Sequence, residues 1–327
     1  MKTLYSWMPD DAATERDQHK LRKRTAEAIR ALVHRTAPTY ASVVNGILHE
    51  LRATAQVCHP DVFHWYFQFK NEALHREDLL KQVKGLPKLV RQSHQRAARS
   101  QRDLGFVVDT APIGAGVASA LQRGAEYAAR LASEPIHLKP VETWTPEMKQ
   151  RIKEALSLIS SVWPEAYDEL PHFVQKFVVY RGHAVIGFTD FRYHGSIFFK
   201  HEWLMHREHL DEVAEDLVHE AAHVRLNALM GTTPLFRNDD SEIYSSPLRR
   251  DLRSMYGVFH QMYVLRRVIE LYRRLQARGL LCRRANLDAS RGGFEEAFKV
   301  VKENADLTML GRTMLKSMQP CTASRTA

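Results

Sequence analysis

The chain has 327 residues, 44% of them hydrophobic and 26% charged, a composition that excludes a disordered or collagen-like polypeptide and can fill one large domain or two modest ones. Its 47 Lys and Arg outnumber 38 Asp and Glu, giving a formal charge of +9 and an expected anionic partner: an acidic peptide, a carboxylate cosubstrate or nucleic acid. Nucleic acid ranks last, because no nucleic-acid-binding motif accompanies the charge.

Three scattered cysteines, Cys58, Cys282 and Cys321, form no CxxC pair. They argue against a disulfide framework and a thiolate zinc site, and they suit a reducing compartment. The first ten residues lack the apolar segment of a signal peptide, and no stretch approaches the length of a membrane-spanning helix. The expectation is a cytoplasmic protein with no membrane partner.

From Asp11 to Ser133 the pattern is helical, with Leu21, Ala28, Ile29 and Leu32, then Tyr40, Val43, Val44, Ile47, Leu48 and Leu51, at helical spacing. The aromatic run Phe63–Phe69 is dense enough for core or for a partner's groove, core being the commoner use, and His64 within it reads as packed. Arg91–Arg102 reads as a solvated helix face or connection, with an acidic peptide as the alternative ligand. The GxG of Ala111–Ala118 lacks the third glycine of a nucleotide-binding fingerprint, and the segment reads as a loop.

Pro135, Pro140 and Pro146 mark the best boundary. It divides a helical region, 1–134, to which charge and architecture assign peptide holding, from a catalytic region, 135–327; one continuous domain is the alternative. A helix through Met148, Ile152, Leu156 and Ile159 ends by Pro164. The β-branched and aromatic segments Phe173–Tyr180, Val185–Thr189 and Ser196–Phe199 then read as short strands, with Gly182 and Gly195 in turns. The fold class expected is mainly α with a small β-sheet (α+β).

The next stretch, Glu215–Asn227, contains His219-Glu220-Ala221-Ala222-His223, an HExxH run. Residues four apart share a helix face, so both imidazoles can reach one divalent metal. Apolar Leu217, Val218, Val224 and Leu226, acidic Asp211 and Glu212 in the first turns and Gly231 at the stop all fit a helix. After a loop, Thr232–Asp240, a long helix carries Val258, Phe259, Met262, Leu265 and Val268, and the tail beyond Pro320 reads as frayed.

Two histidines require at least one more ligand. Glu242 stands at a spacing that resembles gluzincin metallopeptidases, in which Glu220 would serve as general base toward water on zinc. It lies, however, in a polar, proline-bounded loop. The other choice is His260, within the apolar helix. Here Leu217-Val-His-Glu-Ala-Ala-His-Val-Arg-Leu-Asn227, Tyr244-Ser-Ser-Pro-Leu-Arg-Arg-Asp-Leu-Arg253 and Gly257-Val-Phe-His260 together resemble the HExxH-type peptide β-hydroxylases, iron- and 2-oxoglutarate-dependent enzymes of ribosomal peptide maturation. The resemblance covers roughly Thr189 to Arg267 and departs at Ser254, where the family usually has proline.

The resemblance implies that His219, His223 and His260 bind Fe(II), that 2-oxoglutarate and O2 are consumed, and that the β-carbon of a precursor-peptide residue is hydroxylated. A distal cosubstrate carboxylate requires a cation with forked donors. Arg253 and Arg249, with Arg250 beside them, fill that place, and Tyr244, Ser245 and Ser246 offer hydroxyls. Glu220 then orients a ligand beside the metal. A zinc peptidase and a metal-stabilised peptide-binding protein without turnover are the other two readings.

Overall fold

The computed structural model describes residues 6–53, 59–71, 80–91, 114–130, 135–182, 186–206, 210–246, 251–280 and 284–319. It is mainly helical with a small mixed sheet, as the hydrophobic periodicities predict, and has a second, two-stranded sheet that they do not. The N-terminal region supplies α1 (Asp11–Thr36), α2 (Ala41–Ala53), α3 (Pro60–Asn71), α4 (80–91) and α5 (Ala115–Ala129). Asp10 caps α1 by accepting from the Ala13 amide, and Pro60 opens α3, where a missing N–H costs nothing. Of the aromatic run, Phe63, Trp65 and Phe69 are buried, so its core reading holds.

The Ala111–Ala118 segment is not a loop throughout: Gly114 precedes α5, and 115–118 form its first turn. The glycines serve packing. A Cβ on Gly116 would lie 2.4 Å from Cε2 of Tyr193, and one on Gly124 2.9 Å from Cζ of Phe188. Tyr193 cannot easily yield, since it is fully buried and its hydroxyl donates to Asp61 Oδ1 at 2.9 Å. Gly116→Ala is therefore expected to destabilise the protein by about 1–3 kcal/mol, the usual cost of overpacking, measured as a lowered denaturation midpoint with unchanged slope.

After β1 (Lys139–Pro140), Thr145 caps α6 (Pro146–Val162) by accepting from the Met148 amide, and α7 (Pro164–Glu169) follows. Then come β2 (Lys176–Arg181), β3 (Gly187–Phe188), β4 (Ser196–Lys200) and α8 (His201–His206). The first sheet has the order β1-β2-β4-β3 and is mixed, with β2 parallel to β4 in the register Lys176 to Ser196 and β3 antiparallel at the edge. Gly182 and Gly195, expected in turns, have positive φ of 149° and 90°.

The HExxH segment lies in α9 (Leu210–Met230). This helix is buried on most of its circumference because α1, α6 and the next long helix, α10 (Met255–Ala277), pack around it, with β3 and β4 alongside. A second sheet, β5 (Ile243–Tyr244) with β6 (Arg253–Ser254), leads into α10, and α11 (Arg284–Asn304) and α12 (Met309–Ser317) follow. Neither α11 nor α12 was expected from the sequence.

The largest apolar core lies among α6, α9, α10 and α11. Contacts cross the expected 134/135 boundary: Ala228 of α9 belongs to the cluster built from α1, α2 and α3, and Leu21 of α1 lies beside Gly231. Arg267 of α10 and Arg225 of α9 are both buried. Both pair with Glu169 of α7, while Arg225 also donates to Asp17 of α1 at 2.8 Å. No helix among the described residues is long and apolar enough to cross a membrane.

Candidate metal centre

The four-residue spacing on α9 puts His219 and His223 on one face, with ring centres 5.1 Å apart. Both are half-buried, so that face stays within reach of solvent. α10 crosses the same face and delivers His260, whose ring centre is 5.3 Å from that of His223 at an interplanar angle of 17°. The Nδ1 atoms of His223 and His260 face each other at 3.0 Å. Of the two third-ligand candidates, His260 is the one that lies beside His223.

As placed, the rings do not enclose an ion: among the described residues no group of three or more His, Cys, Asp or Glu has ready-made metal-holding geometry. The donor set nevertheless fits one. Two imidazole nitrogens each ~2.1 Å from one ion stand roughly 3.0 Å apart at a right angle and roughly 3.4 Å at the tetrahedral angle. The His223–His260 pair lies at the first of these values.

His260 is 4% exposed; its Nδ1 faces His223, and its Nε2, on the other edge of the ring, has no hydrogen-bond partner among the described residues. An imidazole gives a metal one nitrogen, so an ion between the two Nδ1 atoms leaves Nε2 to another partner, and the Nδ1 pairing alone is the mark of a ligand. Burial also pushes its pKa down to about 3, so the ring is neutral, the form a metal binds.

Glu220, between the two motif histidines, is buried and turned toward the sheet edge. A Cβ on Gly187 of β3 would lie 3.2 Å from Glu220 Oε1, so only glycine leaves the carboxylate this much room. Glu242, the alternative third ligand, is exposed and occupied elsewhere: Asn238 Nδ2 donates to its Oε2 at 3.1 Å, and the Tyr244 hydroxyl donates to the same oxygen. These bonds hold its carboxyl below the usual range, Tyr244 contributing most and Asn238 next.

The expected cosubstrate residues separate into two groups. The β5–β6 register sets Tyr244 directly opposite Arg253. The Tyr244 hydroxyl is nonetheless engaged with Glu242 and with Asn238, at 3.0 Å from Asn238 Nδ2. Ser246 is buried and donates to Oε1 of Gln261, the neighbour of His260, at 2.5 Å. Arg253 is 20% exposed, pairs with Asp251 at 3.2 Å, and stacks over the Tyr127 ring at 5.4 Å. Its Nε has no hydrogen-bond partner among the described residues, and burial lowers the pKa of its guanidinium. Arg249 and Arg250 lie outside the described residues, as do His183 and His209.

Sequence reasoning missed Tyr127, which approaches Arg253 from α5, because nothing local ties an exposed tyrosine to an arginine so distant in the chain. It also missed Tyr256, whose ring centre is 4.3 Å from that of His260. Burial first, then the charges of Asp190 and Asp240, pushes the Tyr256 hydroxyl up to about 12, so it stays protonated. His194, beside the turn glycine Gly195, is 2% exposed, packed against Phe63 at 5.1 Å and lowered by burial to about 3. Neither the family models nor the curated proteins compared with this chain gave a match.

Proposed function

We propose that this chain is a non-haem Fe(II), 2-oxoglutarate-dependent oxygenase that hydroxylates the β-carbon of a residue in a ribosomally made precursor peptide. The observation that carries the reading is the approach of the His223 and His260 Nδ1 atoms to 3.0 Å across two helices. His219, His223 and His260 would hold the iron, leaving positions open on the solvent-reachable face. Bound there, Fe(II) with 2-oxoglutarate and O2 supplies oxidation of an unactivated C–H bond, the keto acid leaving as succinate and carbon dioxide.

The chain's own groups divide the remaining work. Arg253 opens β6 just before α10 and lays its side chain against Gly257 in the first turn of the helix that carries His260, where it would clamp the distal carboxylate of a diacid. Tyr127 covers the guanidinium and limits water around it. Glu220 closes the site on the side of β3 and is placed to orient a ligand rather than to attack. The charge of +9 favours an acidic peptide, and a cytoplasmic setting supplies both cosubstrate and precursor.

The test is anaerobic addition of Fe(II) and then 2-oxoglutarate to metal-free protein, followed by visible absorption. A weak charge-transfer band of a chelated keto acid is expected. Arg253→Ala should leave iron binding intact and weaken 2-oxoglutarate binding roughly 10- to 100-fold, the worth of a charged hydrogen-bonded pair. Absence of the band, with tight zinc binding and cleavage of a peptide library, would replace this reading with a metallopeptidase.

A further inference from the structure

Two contacts between α9 and α10 repeat one turn apart. On α9, His223 and Asn227 are four residues apart; on α10, so are Tyr256 and His260. His223 meets His260, and Asn227 meets Tyr256, whose hydroxyl donates to the Asn227 Oδ1. The helices therefore run antiparallel here, with a ladder of two rungs on facing sides. Asn227 is 5% exposed, so its amide oxygen is engaged in the interior, whereas the Tyr256 ring is 38% exposed and lies against His260.

We propose that the Asn227–Tyr256 rung is a positioning latch for the metal centre: it fixes the height of α10 on α9 and so brings His260 level with His223. The physical argument is geometric. A slip of one residue between the helices moves His260 by ~1.5 Å and turns it by roughly 100°, enough to take its nitrogen out of reach of any ion held by α9. Apolar packing between the helices permits such slips at little cost, because it has no direction, whereas a hydrogen bond between fixed side chains has one register. Asn227 and Tyr256 are thus positioning residues acting through His260. The inference rests on the metal-site reading above.

The experiment uses the full chain, metal-free, titrated with Co(II) and read by its visible ligand-field bands, alongside the melting temperature of each metal-free variant. Tyr256→Phe keeps the ring against His260 and removes only the donor; Asn227→Ala removes the acceptor from the other helix. Each is expected to weaken Co(II) binding about 10- to 100-fold and shift the bands, with little change in the metal-free melting temperature. The double variant should be no weaker than either single one, because both cut the same bond. Wild-type affinity and spectrum in either single variant would overturn the latch, as would weakening that merely tracks a lowered metal-free melting temperature. Failure of the wild-type chain to bind Co(II) would instead remove the metal site itself, and the latch with it.

Discussion

Alanine at His260 is expected to abolish tight metal binding, whereas alanine at Glu242 leaves it unchanged. The contrast separates the two third ligands that the sequence offers, of which the family resemblance favours His260. His260 is buried beside His223, with one nitrogen facing that ring and the other without a partner among the described residues. Glu242 is exposed and already accepts from Asn238 and Tyr244. Removing His260 leaves two imidazoles, too few for a catalytic site. In the metal-free protein the change has opposing effects, losing the packing against Tyr256 while relieving an unsatisfied buried nitrogen.

The clean readout is therefore stabilisation by metal. At an ion concentration a hundredfold above Kd the wild type should gain about 2.7 kcal/mol, and His260→Ala close to none. His219→Ala and His223→Ala should behave likewise. Thermal unfolding with and without Fe(II) under anaerobic conditions gives the comparison. Metal stabilisation retained in His260→Ala and lost in Glu242→Ala would transfer the third position to the loop.

The parts legible in the sequence are those whose signal is local. The HExxH spacing, the apolar stripe of α10 and the β-branched strands each report their own geometry within one segment. The illegible parts depend on distant partners. Arg225 and Arg267 resemble the many other arginines of a basic chain until folding sets both against Glu169. Likewise, Gly116 reads as a loop residue because the ring that demands a glycine, Tyr193, lies far along the chain. His194 is the reverse case: its neighbours in sequence suggest a turn open to water, while Phe63 and Phe191 close over it. Composition carries the charge of each such side chain but not its surroundings.

The buried ionic cluster has the largest expected effect on stability. Glu169 is 1% exposed and accepts from Arg225 Nε at 3.1 Å, from Arg267 Nη2 and from the Thr14 hydroxyl at 2.7 Å. It thereby ties α1, α7, α9 and α10 at one point, two of them carrying the candidate metal ligands. Glu169→Gln preserves shape and some hydrogen bonding but removes the charge. Arg225 then keeps Asp17, while Arg267 keeps the Tyr263 hydroxyl, at 3.2 Å, and the Trp163 ring, at 5.6 Å, but no carboxylate among the described residues. An interior guanidinium without a counter-ion costs about 3–5 kcal/mol, and denaturant unfolding should show a loss of that order.

Acid should act on the same point. Burial by itself raises the Glu169 pKa, but Arg267 and Arg225 outweigh it, and the net shift is downward. A depressed folded-state pKa means that the contribution is complete above the unfolded value of about 4.3 and is lost as pH falls through the lower folded value. Wild-type stability should therefore decline on acidification below about pH 4 more steeply than that of Glu169→Gln, which has no proton to bind there. Parallel acid slopes in the two proteins would show that other carboxylates carry the acid response. A loss under 1 kcal/mol at neutral pH would show that water or rearrangement satisfies Arg267, and that the four helices are held together by their apolar contacts alone.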